Sequence, residues 1–233
     1  MRGVRQNAKK HFMIKRILLS VLLILAVIIA LTNCCSSHMR ADLHFTQSDL
    51  NINPYKGSEQ LVFRSLTGES FNIAIRGRYK NGSDMYGYKD YSDKNKCKGD
   101  YYYTERDETG FSNVGSWLFS IILSFDYTLN NQVYDKSIEF MVDLKNGAPA
   151  SYSEAHFNSD TIYDKYPSRD SVYIFHKSIT LGPKSFENVY ELFLYRSLNL
   201  DGEWATTLYY TIKEGIVGFN TDLGNKWYLA QIN

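Results

Sequence analysis

Ser116-Trp117-Leu118-Phe119-Ser120-Ile121-Ile122-Leu123-Ser124-Phe125-Asp126 is the stretch whose reading decides the fold class. Hydrophobicity alone suits either a buried helix or a buried strand. Its Ile, Phe and Trp content, its length, and its bounding by Gly115 and Asn130 favour a central strand. The flanks read the same way. Downstream, Ile138 to Leu144 is a strand with Asn146-Gly147 behind it. Ser171 to His176 and Val189 to Tyr195 follow, punctuated by Gly182-Pro183. Thr206, Leu208, Tyr210 and Ile212 then share one strand face. Gly215 turns the chain into Ile216-Val217-Gly218-Phe219, and Lys226 to Leu229 closes it. Pro149 to Arg169 is weakly patterned and reads as a long connection with one short element.

Upstream, Gln60 to Leu66 is a strand, and Phe71, Ile73, Ile75, Gly77 and Tyr79 alternate as a half-buried one. Asn81-Gly82 is a strong hairpin signal, with Met85 to Tyr91 as the expected return strand. Tyr101 to Tyr103 favours strand, between polar stretches at 93–100 and 105–110. Roughly nine to twelve short elements in about 175 residues predict a mainly β fold, an antiparallel sandwich or a barrel-like sheet. No strand-helix alternation supports a doubly wound fold, and no clean repeat is present.

Hydrophobic residues make up 44% of the chain, which excludes general disorder. The 19 Tyr and 13 Phe are first a packing resource for pleated surfaces, and second a carbohydrate platform. The net charge of +1 conceals an asymmetry. Arg2, Arg5, Lys9, Lys10, Lys15 and Arg16 precede position 33, where no acid lies. The remainder carries 20 basic against 25 acidic residues, a balance of −5. A mildly acidic domain has no electrostatic reason to bind nucleic acid, and no nucleic-acid partner is expected.

Lys15-Arg16 leads into Ile17–Leu31, an apolar run broken only by Ser20. This is a charged n-region and an h-region, shorter than the roughly 20 residues of a comfortable membrane span. An uncleaved single-span anchor is the alternative. Leu31-Thr32-Asn33-Cys34 resembles a bacterial lipoprotein processing box, with Leu31 the apolar residue three before the cysteine and Asn33 in place of the usual small residue. The resemblance implies lipidation at Cys34, and several acyl chains anchor stably where one does not. The expected organisation is a signal peptide over 1–33, a lipidated N-terminus and tether over 34–58, and a single β-rich domain over 59–233. Residues 1–12 are either a long n-region or sequence upstream of a start at Met13. The tether has room for one short strand at Ala41 to Phe45.

The C-terminal part carries a second resemblance. Ile179-Thr180-Leu181-Gly182-Pro183-Lys184-Ser185-Phe186-Glu187-Asn188-Val189-Tyr190 resembles a hairpin and Asn-Val-Tyr strand found in secreted lipoproteins of Bacteroidota-type bacteria. Tyr209-Tyr210-Thr211-Ile212-Lys213-Glu214-Gly215-Ile216-Val217-Gly218-Phe219 is similar to that group's Tyr-Tyr pair and Gly-rich turn, and Trp227-Tyr228-Leu229 to its closing strand. The match covers about residues 176 to 230 and the signal peptide. It implies an envelope address, at the outer membrane, and β architecture rather than an activity. No acid lies between Cys35 and Asp42, so both the surface and the periplasmic face stay open. Read without the resemblance, Gly215 and Gly218 permit a tight turn and close approach, Tyr210, Ile212 and Phe219 fill core, and Asn188 satisfies backbone groups where a strand begins.

The chemistry-bearing residues are sparse. His38, His44, His156 and His176 form no ligand spacing, so no metal and no cofactor is expected. Cys97 lies between Lys96 and Lys98, which favours thiolate, but no CxxC or local histidine accompanies it. It is either free or paired with Cys35, which is available if Cys34 is lipidated. There is no GxSxG, P-loop or dinucleotide fingerprint. Glu105, Asp107 and Glu108 supply carboxylates for glycoside hydrolysis only if two of them face a cleft. With Asp100 they do not follow the spacing of a calcium loop. No catalytic residue is therefore assigned. The function expected is a membrane-anchored envelope lipoprotein with a structural or binding role, its partner besides the bilayer an envelope protein, a glycan or a hydrophobic ligand. The alternative is an envelope hydrolase acting on glycan or peptide, or a carrier of a hydrophobic ligand. Two facing carboxylates in a cleft favour the hydrolase, and an apolar cavity favours the carrier.

Overall fold

The structure, a computed structural model, describes residues 18–25, 38–86, 100–113, 117–128, 133–144, 151–158, 161–163, 173–196 and 203–233. The chain divides into two compact units. One comprises Met1–Asp42 and Asp84–Tyr103. Its described helix, at 18–25, exposes leucines such as Leu18, Leu19 and Leu22. Among the described residues no helix is long and apolar enough to cross a membrane. The other unit, Leu43–Ser83 and Thr104–Asn233, holds the core.

The described strands are β1 (His38–Leu43), β2 (Gln60–Ser65), β3 (Ser70–Tyr86), β4 (Asp100–Asn113), β5 (Trp117–Thr128), β6 (Val133–Leu144) and β7 (Ser151–Asn158). They continue as β8 (Thr161–Tyr163), β9 (Tyr173–Leu181), β10 (Lys184–Phe193), β11 (Tyr195–Arg196), β12 (Ala205–Thr211), β13 (Gly215–Thr221) and β14 (Lys226–Ile232). The sheet order is β11-β7-β6-β5-β4-β3-β2-β14-β13-β12-β10-β9, with β8 beside β7. The fold is mainly β, and its antiparallel sheet curls through 315° round an axis, which is a near-barrel. Of the two expected architectures, the barrel-like sheet is the one observed. The stretch that opened the sequence argument is strand β5, paired with β6 from Trp117↔Leu144 to Thr128↔Val133.

The concave side is filled by rings. Phe219 is fully buried and lies 5.2–6.2 Å from the centroids of Phe63, Phe71, Trp117, Phe119 and Trp227. Most of these pairs are edge-to-face, the arrangement the ring quadrupole favours. The expected face of β12 is correct for Leu208 and Tyr210, which are fully buried. Tyr210 packs edge-on to Phe140 at 4.8 Å.

Residues 45–55 belong to this core, so the expected tether is shorter than 34–58. Phe45 stacks on Phe125 at 4.4 Å, and Ile52 and Tyr55 are buried. Thr46 caps a one-turn helix, Gln47–Leu50, through a capping box with Asp49. The polar residues that made the segment look like a spacer are its fastenings. The Asn53 amide donates to Thr109 Oγ1 at 2.8 Å, and the Ile216 N–H donates to Tyr55 Oη at 2.7 Å. The Tyr210 hydroxyl donates to the Ile52 carbonyl. The Arg78 guanidinium donates to the carbonyls of Leu50, Asn53 and Tyr55 and forks onto the fully buried Asp107 carboxylate.

Arg78 reaches inward because β3 changes face. Ile73 and Ile75 are buried, but Tyr79, expected on that face, is exposed. Gly77 has φ +147° between them, a conformation L side chains rarely adopt, and it resets the alternation. The Asn81-Gly82 hairpin does not form either. Both residues lie inside the 17-residue β3, and Met85 and Tyr86 end that strand. Asn-Gly permits a reversal without compelling one, and here β3 continues with β4 as its neighbour. Residues 87–91 lie outside the described set. Two polar stretches are strands. Glu105 to Gly110 lies within β4, and the expected connection after Pro149 contains β7, whose alternation is carried by Ser151, Ser153, Ala155 and Phe157. Small inward serines hide a strand from a hydrophobic pattern.

Candidate functional site

Two strands near the C-terminal end shape the site. β9 and β10 form a hairpin closed by Gly182-Pro183, with Leu181 paired to Lys184. Gly182 has φ +59°, and proline holds φ negative, so the loop is a type II′ turn. The tip lies against the outer face of β13 and β14. Tyr228 lies so close to Gly182 that an added Cβ would come within 2.5 Å of its ring. Leu181 sits over Gly218, and Lys184 Nζ donates to the Ala230 carbonyl.

Beyond Asn188 the same strand joins the sheet, pairing Tyr190↔Tyr210 through Phe193↔Thr207 with β12. Asn188 is the point of departure. It is the one described non-glycine residue with positive φ, at 53°. Asparagine tolerates this conformation better than most L residues. Asn188 lies inside β10 and not at a strand's start, so the expected role of satisfying backbone groups there is replaced by a conformational one.

A cavity of about 880 Å³ opens at this corner. It spans the unclosed side of the sheet, from Thr161 and Ile162 on β8 to Tyr173 and Phe175 on β9. Phe186 and Tyr190 form part of its wall, and the β12–β13 turn adds Thr211, Ile212, Lys213 and Glu214. Its rim is polar, with Ser185, Glu187 and Asn188 from β10. The Ile162 N–H donates to Tyr190 Oη at 3.2 Å and ties β8 to β10 across the opening. Tyr190 packs against Tyr173 at 5.5 Å and Phe175 at 5.2 Å. Phe175 nonetheless remains 50% exposed. The volume lies in the range of small-molecule sites, about 300–1,000 Å³.

A second polar group crosses the sheet nearby. His176 Nε2 is 2.6 Å from Glu191 Oε2, and the Tyr209 hydroxyl donates to Glu191 Oε1 at 3.4 Å. The Asn220 amide donates to Tyr209 Oη at 3.0 Å. Burial, then the Glu191 carboxylate, raises the Tyr209 phenol. His176 is thus held by a carboxylate of the neighbouring strand, and among the described residues no group of three ligating side chains includes it.

The carboxylates singled out in the sequence do not converge. Asp107 points into the core against Arg78. Glu105 accepts from the Phe45 N–H at 2.9 Å, and Glu108 meets Arg106 at 3.4 Å. Among the described residues no group of three His, Cys, Asp or Glu could hold a metal. Cys34, Cys35 and Cys97 lie outside the described residues. Phe186 and Glu214 fall in the stretches that carry the resemblance and Tyr173 and Phe175 in an expected strand, but none was singled out as a site residue, because a wall built from several strands has no sequence spacing. The nearest signal was the polar turn Lys213-Glu214-Gly215 after an apolar strand. No protein-family model, curated protein or solved structure matches the chain.

Proposed function

We propose that this protein is a binding domain that takes a ligand with an apolar face into the cavity between β8, β9 and β10, and that Cys34 anchors it by lipid to an envelope membrane. The observation that carries the reading is the cavity itself. Elsewhere the described core buries its aromatic and aliphatic side chains, yet at the cavity Phe175 stays half exposed beside Tyr173, Tyr190 and Ile212. Large apolar groups favour removal from water, and an aromatic left at the mouth of a wall is matched by a ligand surface. The lipid anchor is supported by Lys15-Arg16, the apolar run and Leu31, and intact mass of the mature N-terminus tests it.

The cavity reading is tested with Nile red, a neutral polarity-sensitive dye. Its fluorescence should rise on the purified chain and fall back in Ser185→Trp, which fills the opening. Equal fluorescence in both proteins contradicts the assignment. One observation favours hydrolysis instead: Glu187 and Glu214 both line the cavity. Glu187 is exposed and Glu214 half exposed, whereas a glycosidase acid sits where desolvation keeps it protonated. Binding without turnover is therefore the better reading.

A further inference from the structure

Resting on that reading, we infer that the ligand is a neutral oligosaccharide. Three features of the cavity point to it. First, the exposed face of Phe175 at the mouth offers an apolar plane to the C–H face of a sugar ring, and the ring is buttressed from behind by Tyr190. Secondly, the rim mixes hydrogen-bonding types. Glu187 and Glu214 accept, Lys213 donates, and Ser185 and Asn188 do both. A sugar hydroxyl also donates and accepts, so a run of hydroxyls can satisfy such a rim. An alkyl chain of the same size would remove these groups from water without replacing their hydrogen bonds, which is costly. Thirdly, two carboxylates against one ammonium give the lining no attraction for an anion. Phosphorylated, sulfated and uronic-acid ligands are disfavoured on that ground.

The cavity volume of about 880 Å³ fits a chain of a few sugar units rather than a single one. Asn188 has a double part. Its positive φ sets the corner, and the residue lines the cavity. The two parts separate in Asn188→Gly, because glycine keeps the backbone conformation and removes the amide.

The experiment uses the detergent-solubilised full chain on an array of hexose and N-acetylhexosamine oligomers, with uronic-acid oligomers as the charged comparison. Neutral oligomers should bind at least about tenfold more tightly than acidic ones. Phe175→Ala and Asn188→Gly should each weaken binding about tenfold or more, while Leu223→Ser, on an exposed turn, leaves it unchanged. Preference for acidic oligomers, or neutral binding that survives both Phe175→Ala and Ser185→Trp, overturns the assignment. If Nile red enters the cavity and no oligosaccharide binds, the ligand class is wrong and the cavity reading stands. If neither binds, both fall.

Discussion

The same residue types do opposite work at two places in the sheet. Around Phe219, five rings close on one another and leave no room. Around Tyr190, two rings pack on a third and stop, with Phe175 half in water. The difference lies in what stands opposite. Phe219 faces β2, β3 and β5 across the curled sheet, so its ring is enclosed. Tyr190 lines the cavity at the unclosed side of the sheet, where β8 reaches it through the Ile162 N–H. Aromatic abundance marks a core where the sheet returns on itself and a binding wall where it does not.

The comparison breaks most severely through the fastening of residues 45–55. Arg78→Ala should destabilise the domain by about 3–5 kcal/mol, because it leaves the Asp107 charge buried without its partner and takes a donor from the carbonyls of Leu50, Asn53 and Tyr55. Urea denaturation reads this as a lower midpoint. The double variant Arg78→Met with Asp107→Leu should lose less than Arg78→Ala, since it leaves no buried charge alone. A double variant as unstable as Arg78→Ala would show that packing rather than charge dominates there. Phe219→Ala should also cost about 3–5 kcal/mol, as expected for a large ring lost from a filled core. An unchanged midpoint and slope contradict the packed half of the comparison.

Much of the closed half was legible in the sequence. Period-two residues marked β3 and β12, the apolar content of Gln60 to Leu66 marked β2, and the apolar run at Ser116 to Asp126 marked β5. What was hidden is polar residues turned inward. Asp107 and Thr109 on β4, Ser151 and Ser153 on β7, and Asn53 beside the helix are all buried, yet each reads as solvent-facing. Asn53 and Thr109 pair across 56 residues of sequence and Asp107 with Arg78 across 29, and no local pattern reports such pairs. Gly77 and Asn188 were visible as residues, but the change of face and the corner they create depend on the neighbours of each strand. The cavity follows from that corner and was hidden with it.

Smaller effects sharpen the contrast. Tyr55→Phe keeps the ring on Phe111 and leaves the Ile216 N–H without its acceptor, which should cost about 1–3 kcal/mol in the same assay. Gly215→Ala acts at the same contact, where φ is +79° and an added Cβ would lie 2.2 Å from Tyr55 Oη. It should destabilise more than Tyr55→Phe.

Acid should loosen the fastened segment. Burial pushes the Asp49 carboxyl up, but hydrogen bonds from Lys136 and Thr46 outweigh this and hold it below its ordinary 3.8. Glu59, likewise raised by burial, is held below its ordinary 4.5 by the N–H groups of Lys56, Gly57 and Ser58 and by its own. A carboxyl with a depressed folded value contributes stability above its unfolded value and loses it as pH falls through the folded one. Urea midpoints should therefore drop as pH falls below about 4.5. Asp49→Asn should flatten part of that drop, and an unaltered profile would contradict the Asp49 assignment. At the open half, Phe175→Ala loses one ring contact, with Tyr190, and should cost about 1.5 kcal/mol or less, well below Phe219→Ala. A larger loss would mean the ring is packing and not a binding surface.

The most direct measurement is fragment soaking of crystals, with small neutral sugars and aromatic fragments examined at every site on the chain. The account predicts density in the cavity, against Phe175 and within hydrogen-bonding reach of Asn188 or Glu214. Density elsewhere on the chain, with Phe175 turned inward and the cavity filled by protein, would contradict it.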